Sequence, residues 1–351
     1  MKLVILGLSI TSSWGNGHAT TYRGLVREFV RRGHDVLFLE RDKPWYAEHR
    51  DLPRPPFGET RLYGSLAELD EHAAEVRDAD AVIVGSYVPD GVEVARWAFN
   101  TATGPVLFYD IDTPVTLAKL RRGDFEYLDP ADVSRFAAYL SFTGGPTLDV
   151  LEREFGSPKA LPLYCSVDPE AYFPADTPTK YDLSYLGTYS DDRQPAVERL
   201  LLEPARAWAD GRFCVAGPMY PASIDWPGNV RRIDHLSPSQ HRAFYNASRW
   251  TLNVTRADMV AAGWSPSVRL FEAAACGTPV VSDAWPGMSE FFEIGREIRV
   301  AESTDAALSI VRDTPAAEAN AIGAAARARV LARHTAATRA AELETYLSDL
   351  M

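Results

Sequence analysis

Short apolar runs alternate with amphipathic stretches along the chain. In the first half, the runs show no alternation with polar residues, and stretches with helical spacing lie between them. Strands that are apolar on both faces are typical of a parallel sheet covered by helices on both sides. The pattern therefore predicts an α/β fold. It places strands at 2–8, 36–40, 81–85 and 105–110, shorter strands at 140–143 and 159–163, and helices at 20–32, 66–77 and 89–101.

A second series of the same kind follows residues 164–182, a stretch that is rich in proline, aspartate and tyrosine and has little periodicity. We interpret this stretch as a linker. Two open α/β sheets in tandem place a ligand at the carboxyl ends of their strands, in the cleft between the domains. The second series predicts strands at 182–187, 212–217, 230–233 and 250–254, and helices at 194–209, 237–247, 303–313 and 315–349.

The most informative segment is 263–283, which predicts a loop, a short helix, a tight turn and a buried strand. Ser265 and Ser267 suit a helix N-terminus, whose free amides favour an anion. Arg269, one turn later, can add a bidentate contact to a phosphate. Glu272 lies near the same face and suits a pair of sugar hydroxyls. The segment indicates a nucleotide or nucleotide-sugar site; the alternative is a capped amphipathic helix that leads into a core strand.

A glycine-containing loop follows the first predicted strand and consists of Gly15, Asn16, Gly17 and His18. Two glycines let the backbone approach a ligand closely, and Asn16 and His18 can point into the cleft. The loop lacks the third glycine of the dinucleotide fingerprint, which disfavours a nicotinamide cofactor even though Glu40 ends the second strand. The alternative for His18 is a capping or packing role.

Asp110 and Asp112 end another predicted strand of the first domain. Two carboxylates two residues apart on a strand face the same way, so the pair can bind a cation, hold sugar hydroxyls or accept a proton from a hydroxyl. Asp112 has the alternative of capping a following helix, near whose start Pro114 stands.

Further candidates follow the strands of the second domain. Gly187 and Thr188 offer backbone and hydroxyl donors to a phosphate, and Arg193 can supply the charge; the alternative is an ordinary turn with a solvated arginine. Arg256 follows a later strand and is well placed for the cleft. A loop that contains His235 and Leu236 precedes a helix and can pair its backbone with the edge of a base.

Composition narrows the classes of protein. The chain has 351 residues and a formal net charge of −12, which argues against a general surface for nucleic acid or acidic membranes. Cys165, Cys214 and Cys276 are widely spaced without a metal-ligand or disulfide pattern, which favours a reducing cytosol. The apolar N-terminus stops at Thr11 and is interpreted as a strand, not as a signal peptide. No apolar run approaches the roughly 18 residues that span a bilayer.

With both halves assembled, the chain resembles the GT-B glycosyltransferases, and within them the CgeB-like group, often labelled spore-maturation proteins. The likeness covers essentially the whole chain and is carried by the residues at 11–18, 186–189 with Arg193, 252–256 and 267–277. The resemblance implies two Rossmann-like domains: an acceptor-side domain at 1–165 and a donor domain at 166–335. A C-terminal helix at 336–351 then crosses back to the first domain.

The resemblance also implies roles for particular residues. In similar retaining, family 4-type enzymes, a glutamate at the place of Glu272 holds the donor ribose, and a basic residue at the place of Arg193 neutralises the diphosphate. Helix amides near Ser267 and Val268 complete the binding site for the diphosphate. The glycine loop with His18 would face the donor sugar or phosphate from the other domain.

One position departs from the family pattern. The usual second glutamate stands eight positions before Glu272, where this chain has Trp264. This departure bears on the contacts to the sugar ring, and through them on the donor sugar and the stereochemical outcome.

We therefore expect a cytoplasmic, metal-independent glycosyltransferase, retaining in outcome, that uses a nucleotide-diphosphate sugar as co-substrate and needs no other cofactor. Arg193, Arg269 and the helix amides would stabilise the leaving diphosphate, and Asp110 or Asp112 would orient or deprotonate the acceptor hydroxyl. The acceptor is unspecified, and no nucleic acid is expected as a partner. The alternatives are a nucleotide-sugar epimerase of the same fold and a non-catalytic nucleotide-sugar-binding or structural protein.

Overall fold

The structure is a computed structural model that describes residues 1–15 and 17–351. The chain divides into two compact units. Unit 1 comprises Met1–Ser166 and Ala336–Met351, and unit 2 comprises Val167–Thr335. Among the described residues, no helix is both long and apolar enough to cross a membrane.

Unit 1 is built on one parallel sheet. Its strands are β1 (Lys2–Gly7), β2 (Asp35–Arg41), β3 (Glu59–Tyr63), β4 (Ala81–Gly85), β5 (Val106–Asp110), β6 (Ala138–Ser141) and β7 (Ala160–Pro162). The seven strands lie in the order β3-β2-β1-β4-β5-β6-β7, and every neighbouring pair is parallel. The helices are α1 (His18–Arg31), α2 (Pro44–Ala47), α3 (Ala73–Asp78), α4 (Gly91–Thr101), α5 (Thr113–Arg121) and α6 (Pro146–Arg153), with 3₁₀ segments at Leu66–His72 and Pro130–Arg135 and a C-terminal helix at Ala336–Ser348.

Both faces of the unit 1 sheet are buried. Val4 and Leu6 of β1 belong to one apolar cluster, and Ile5 belongs to a second, which α1 and the C-terminal helix cover. The two helices approach closely at Gly24, where an added Cβ would lie 3.1 Å from the Cβ of Ala336. This packing holds α1 and the C-terminal helix together on one face of the sheet.

Unit 2 repeats the architecture with six strands. They are β8 (Tyr181–Leu186), β9 (Phe213–Ala216), β10 (Val230–Ile233), β11 (Ser248–Asn253), β12 (Val280–Ser282) and β13 (Arg299–Val300). Their order is β10-β9-β8-β11-β12-β13, again parallel throughout. The helices are α7 (Gln194–Val197), a π-helical segment (Glu198–Leu202), α8 (Glu203–Ala207), α9 (Pro238–Asn246), α10 (Ala257–Ala262), α11 (Val268–Ala275), α12 (Met288–Phe291), α13 (Thr304–Asp313) and α14 (Ala316–Arg333).

The prediction of two parallel-sheet α/β domains is confirmed. Three local predictions differ from the structure. The edge strand β3 was not predicted, because its exposed position admits Glu59 and Arg61. The predicted helix at 66–77 is a 3₁₀ segment followed by α3, and the predicted helical stretch at 315–349 is interrupted at His334.

Candidate functional site

Arginine side chains from three elements converge at the carboxyl ends of β8 and β11. Arg193 immediately precedes α7, Arg256 immediately precedes α10, and Arg269 lies in the first turn of α11. Burial lowers the pKa of Arg193, and the positive charges of Arg269 and Arg256 lower it further, against the opposing effect of Tyr185. Guanidinium groups held this close repel one another, and a bound anion relieves the repulsion. We call these three residues the arginine cluster.

Arg269 is fixed across the ends of two neighbouring strands. Its Nη1 donates to Asn253 Oδ1 across 3.0 Å, and its Nε donates to the carbonyl oxygen of Leu186. The guanidinium carbon lies 5.0 Å from the ring centre of Tyr185. Gly187 leaves room for this arrangement, since an added Cβ would lie 2.6 Å from the Tyr185 hydroxyl and 3.0 Å from Arg269 Nη2.

The other two arginines share the charge of a single carboxylate, Asp192, among the described residues. Arg193 donates to the Thr188 carbonyl oxygen across 2.6 Å and to Ser190 Oγ across 2.9 Å, both of which are neutral acceptors. Arg256 Nε lies 3.8 Å from Asp192 Oδ2 and is buried without a hydrogen bond to any described residue. The cluster therefore presents excess positive charge to a ligand.

The start of α11 lies beside this cluster and corrects one expectation. Ser267 is the residue before the helix, but its hydroxyl donates to Asn253 Oδ1 across 3.0 Å and does not cap the helix amides. The amide of Val268 makes no hydrogen bond within the described part of the chain. The first turn of the helix is therefore open to an anion.

Glu272 lies one turn further along α11 and is 5% exposed. Its Oε2 accepts a hydrogen bond from the Tyr245 hydroxyl across 3.1 Å and lies 3.8 Å from His241 Nδ1. Burial and the negative charge of Glu272 raise the pKa of Tyr245 well above its usual value, and the positive charge of Arg269 opposes that rise. Arg269 and Glu272 thus share a neighbour, and burial together with the charge of Glu272 also raises the pKa of Tyr172.

His241 lies between Glu272 and the loop before α9. Its Nε2 is 3.2 Å from the carbonyl oxygen of Leu236, and its Nδ1 is 3.4 Å from the Tyr172 hydroxyl and 3.8 Å from Glu272 Oε2. His235, the residue before Leu236, has an exposed side chain. His241 and Tyr245 were missed in the sequence, because their relation to Glu272 depends on the packing of α9 against α11.

The end of β9 closes another side of the arginine cluster. Gly217 has φ +141°, and an added Cβ there would lie 2.0 Å from the carbonyl oxygen of Gly187. The Tyr220 hydroxyl donates to the same oxygen across 3.1 Å. The Arg232 guanidinium carbon lies 4.2 Å from the Tyr220 ring centre and 4.6 Å from that of Trp226. No sequence motif marks this stack.

Trp264 occupies the position at which the family pattern has a glutamate. Its backbone is left-handed, with φ +46°, and its indole Nε1 donates to Glu290. The ring lies directly over Gly287, where an added Cβ would be 2.4 Å from a ring carbon. An aromatic ring on a fixed backbone therefore replaces the carboxylate.

In unit 1, His18 is the first residue of α1 and is 5% exposed. Its Nε2 lies 3.3 Å from Asp112 Oδ2, and Tyr87 meets the ring edge-on at 5.5 Å between centres. Because a carboxylate only accepts, Nε2 carries a proton. Nδ1 is buried and has no hydrogen-bond partner among the described residues. A histidine oriented by a carboxylate is a common arrangement for moving a proton.

Asp110 requires a correction, because the two predicted carboxylates do not face the same way. Asp110 is the last residue of β5 and is fully buried, where it accepts hydrogen bonds from Tyr139, from Thr116 Oγ1 at 2.8 Å and from the Asp112 amide at 3.1 Å. Burial raises the pKa of Asp110 to about 6. Asp112 lies beyond the strand, so strand alternation does not apply to it. Only Asp112 reaches His18.

The loop before His18 is anchored by a carboxylate. Glu40 is fully buried and accepts hydrogen bonds from the amides of Ile10 and Thr11 at 2.6 and 2.9 Å and from the hydroxyls of Thr11 and Ser9 at 2.6 and 3.2 Å. It is therefore committed to the loop and not free to bind a ribose.

The glycines of the loop lie in open surroundings. Gly15 has φ +68°, which a glycine adopts without strain, and an added Cβ at Gly15 or Gly17 would meet nothing within 4 Å. Asn16 lies outside the described residues. Within the described ranges, no group of three or more His, Cys, Asp or Glu side chains is arranged to hold a metal ion.

Comparison with known proteins agrees with this architecture. A family model described as glycosyl transferase-like matches residues 193–345. Sucrose-phosphate synthase from Thermosynechococcus elongatus superposes with a TM-score of 0.70 at 15% identity, over 100% of this chain and 99% of that one. HepE from Anabaena in complex with UDP-glucose gives 0.71 at 14% identity, over 100% of both chains.

An α-glucosyltransferase in complex with UDP-glucose and DNA containing an abasic site gives a TM-score of 0.76 at 13% identity, over 99% of both chains. No curated protein matched the sequence. These similarities establish that the chain has the GT-B fold, with two parallel-sheet α/β domains.

Proposed function

We propose that this protein is a glycosyltransferase that moves a sugar from a nucleotide-diphosphate sugar to an acceptor hydroxyl. The observation that carries the proposal is the arginine cluster, whose excess positive charge lies beside the open first turn of α11. The segment matched by the glycosyl transferase-like model begins at Arg193 and includes the whole cluster. Because HepE and the α-glucosyltransferase were solved with UDP or UDP-glucose, we propose a uridine nucleotide as the donor.

Arg193, Arg256 and Arg269 are proposed to bind the diphosphate, together with the first amides of α11. The bond that breaks joins the anomeric carbon to a diphosphate oxygen, and the electron pair stays on that oxygen. Fixed guanidinium groups and helix amides stabilise the charge that develops there. The proposal therefore assigns the neutralisation of the leaving group to protein groups and requires no metal ion.

Glu272 is proposed to hold the ribose. The Tyr245 hydroxyl donates to Oε2, and the buried carboxylate is proposed to accept a hydroxyl of the nucleoside as well. The loop at His235 and Leu236 is proposed to meet the edge of the base through its backbone, since His241 Nε2 lies 3.2 Å from the carbonyl oxygen of this loop and His241 Nδ1 lies 3.8 Å from Glu272.

His18 and Asp112 are proposed to act on the acceptor side of the reaction. Asp112 orients the imidazole, and His18 positions the reacting hydroxyl. We propose retention of the anomeric configuration, on the basis of the family resemblance. Determination of the product anomer by NMR tests this point separately, and an inverted product would instead make His18 the base that takes the hydroxyl proton.

The experiment that tests the function is incubation of the purified chain with a panel of nucleotide sugars, with and without mixed acceptors, followed by mass spectrometry. Transfer or slow hydrolysis of one UDP-sugar supports the proposal. Conversion of the donor to an isomer without acceptor would indicate an epimerase instead. Tight donor binding with no turnover across the panel would indicate a binding protein, and absence of binding to every nucleotide diphosphate would contradict both.

A further inference from the structure

Two tryptophans stand out on the surface of unit 1. Trp14 is 50% exposed and Trp45 is 49% exposed, although burial of an indole normally contributes to stability. Trp14 belongs to the loop between β1 and α1, and Trp45 belongs to α2. Neither side chain takes part in the apolar clusters that hold the unit 1 sheet.

His49 covers part of Trp14. Its ring stacks on Trp14 with 4.6 Å between ring centres and 21° between planes. Its Nδ1 lies 3.1 Å from the backbone carbonyl oxygen of Trp45, so in the neutral imidazole Nδ1 carries the proton and Nε2 is an acceptor beside the stacked indole. The Trp45 indole has other neighbours, the Tyr46 ring at 6.1 Å and Lys43 Nζ at 5.7 Å.

The polypeptide around this group is held in place by hydrogen bonds. Ser12 Oγ donates to the His49 carbonyl oxygen across 2.8 Å, and the Leu52 amide donates to the Thr11 carbonyl oxygen across 3.0 Å. The Ser13 amide donates to Asp51 Oδ1 across 2.8 Å. An exposed aromatic surface on a fixed backbone binds a ligand with a small loss of conformational entropy.

A second set of hydrogen bonds, made by Arg23, also holds this loop in place. Both nitrogens at the end of Arg23 donate to the Asp51 carboxylate across 2.8 Å, and Arg23 Nε donates to the Ile10 carbonyl oxygen across 2.8 Å. The Asp51 pKa is accordingly lowered: burial raises it, but the bonds from Arg23 and Ser13 outweigh the burial. The carboxylate therefore stays ionised and keeps the loop attached to α1.

The exposed indole and imidazole suit a ligand ring that has one apolar face and hydroxyl groups at its edge. An indole face receives the C–H groups of a pyranose, and a bare imidazole nitrogen accepts one of its hydroxyls. Bases of nucleic acids also stack on aromatic rings, but a net charge of −12 disfavours a polyphosphate chain as the partner. The same loop leads within four residues from Trp14 to His18, the proposed acceptor-side residue.

We infer that Trp14 and the His49 ring stacked on it form a surface for a pyranose ring of the acceptor, so that the acceptor of this enzyme is itself a carbohydrate. The inference rests on the proposed function for its place in the reaction. Binding of a saccharide to the surface, however, can be measured without donor and without turnover.

The test is binding of the purified full chain to a panel of defined oligosaccharides, by calorimetry and on an array, in the absence of any nucleotide. Wild type is expected to bind at least one of them. Trp14→Ala and His49→Ala should weaken that binding about tenfold, and Trp14→Phe should retain most of it. Phe125→Ala, which removes another exposed aromatic ring of unit 1 (44% exposed), is the matched control and should bind as wild type.

UDP binding by the same variants separates this inference from the proposed function. Trp14→Ala should bind UDP as wild type does, and a circular dichroism spectrum and thermal unfolding like those of wild type show that its unit 1 is folded. Saccharide binding that depends on Trp14 without any UDP binding would support the surface and contradict the proposed function. The inference is overturned if no saccharide binds wild type, if the alanine variants bind unchanged, or if single-stranded DNA is the ligand that Trp14→Ala loses.

Discussion

Arg269 and Ser267 donate to the same atom, Asn253 Oδ1, and each lies 3.0 Å from it. This shared acceptor ties the start of α11 to the last residue of β11. It also uses the Ser267 hydroxyl that a capped helix would need, and so leaves the first turn of α11 uncapped. Asn253 therefore has two effects. It positions the Arg269 guanidinium, and it keeps the Ser267 hydroxyl from capping α11.

Replacement of Arg269 by alanine should weaken UDP binding about a hundredfold, because one charged partner of the diphosphate is lost from a partly buried site. Isothermal titration of the variant with UDP measures the effect. Arg269→Lys should recover little of the loss, since an ammonium group cannot bond to both Leu186 and Asn253 in the same way. Arg312→Ala, at an exposed position paired with Asp313, is the control and should bind UDP normally. Normal UDP binding by Arg269→Ala would remove this residue from the proposed site.

Glu272→Gln should abolish the preference of the protein for a ribose hydroxyl. Wild type should bind UDP about tenfold more tightly than the deoxynucleotide that lacks the hydroxyl in contact with Glu272, because a hydrogen bond to a charged group contributes about 1.5–3 kcal/mol. Parallel titrations with UDP, 2′-deoxy-UDP and 3′-deoxy-UDP measure the preference. A preference that persists in Glu272→Gln would show that the ribose is held by other groups.

Gly287→Ala should destabilise unit 2 by about 1–3 kcal/mol, because the residue has a left-handed backbone and a Cβ would collide with the Trp264 ring. Thermal unfolding, or limited proteolysis of unit 2, measures the change. Gly228→Ala is the matched control, since an added Cβ there meets nothing within 4 Å, and it should unfold as wild type does. Equal stability of the two variants would contradict the placement of the indole over Gly287.

The buried Asp110 should make the folded chain less stable as the pH rises. Burial raises its pKa from 3.8 to about 6 in the folded chain, so between these values the folded state binds more protons than the unfolded state. The stability contributed by the protonated carboxyl is complete below the lower value and is lost as the pH rises through about 6, by about 3 kcal/mol. Denaturant unfolding of wild type and Asp110→Asn between pH 4 and 7 isolates this contribution, because the asparagine does not titrate. A stability difference that does not change across this range would contradict the burial of an ionisable Asp110.

His18→Ala should lower the rate of sugar transfer by about a hundredfold or more and leave UDP affinity unchanged, because the residue is proposed to act on the acceptor side. Asp112→Asn should lower the rate in the same direction, since the amide presents no fixed charge to orient the imidazole. Steady-state kinetics with saturating donor measures both effects. A variant of either residue with full activity would remove the pair from the mechanism.

Most of the fold could be predicted from the sequence, because buried parallel strands are continuous apolar runs, as at β1, β4 and β5. Less of the candidate site could be predicted. Arg193 and Arg256 could be chosen because each follows a strand end, where ligands of α/β sheets bind, and Arg269 because it lies one turn into a predicted helix. The roles of Tyr245 and His241 could not be predicted, because they depend on how α9 packs on α11.

The wrong expectation at Asp110 has a simple physical cause. Strand alternation was extended to Asp112, whereas β5 ends at Asp110, and a single residue decides which carboxylate is buried and which meets His18. The expectation that Ser267 caps α11 was wrong for a related reason. The competing acceptor, Asn253, lies on another strand and is not visible in the local sequence.

The central claim is that the arginine cluster binds the diphosphate of the donor, and titration with UDP, UMP and uridine tests it most directly. For wild type, affinity should fall steeply with each phosphate removed. In Arg193→Ala/Arg269→Ala, the three ligands should bind with nearly equal, weak affinity. Equal binding of the three ligands by wild type, or an undiminished preference for UDP in the double variant, would contradict the account.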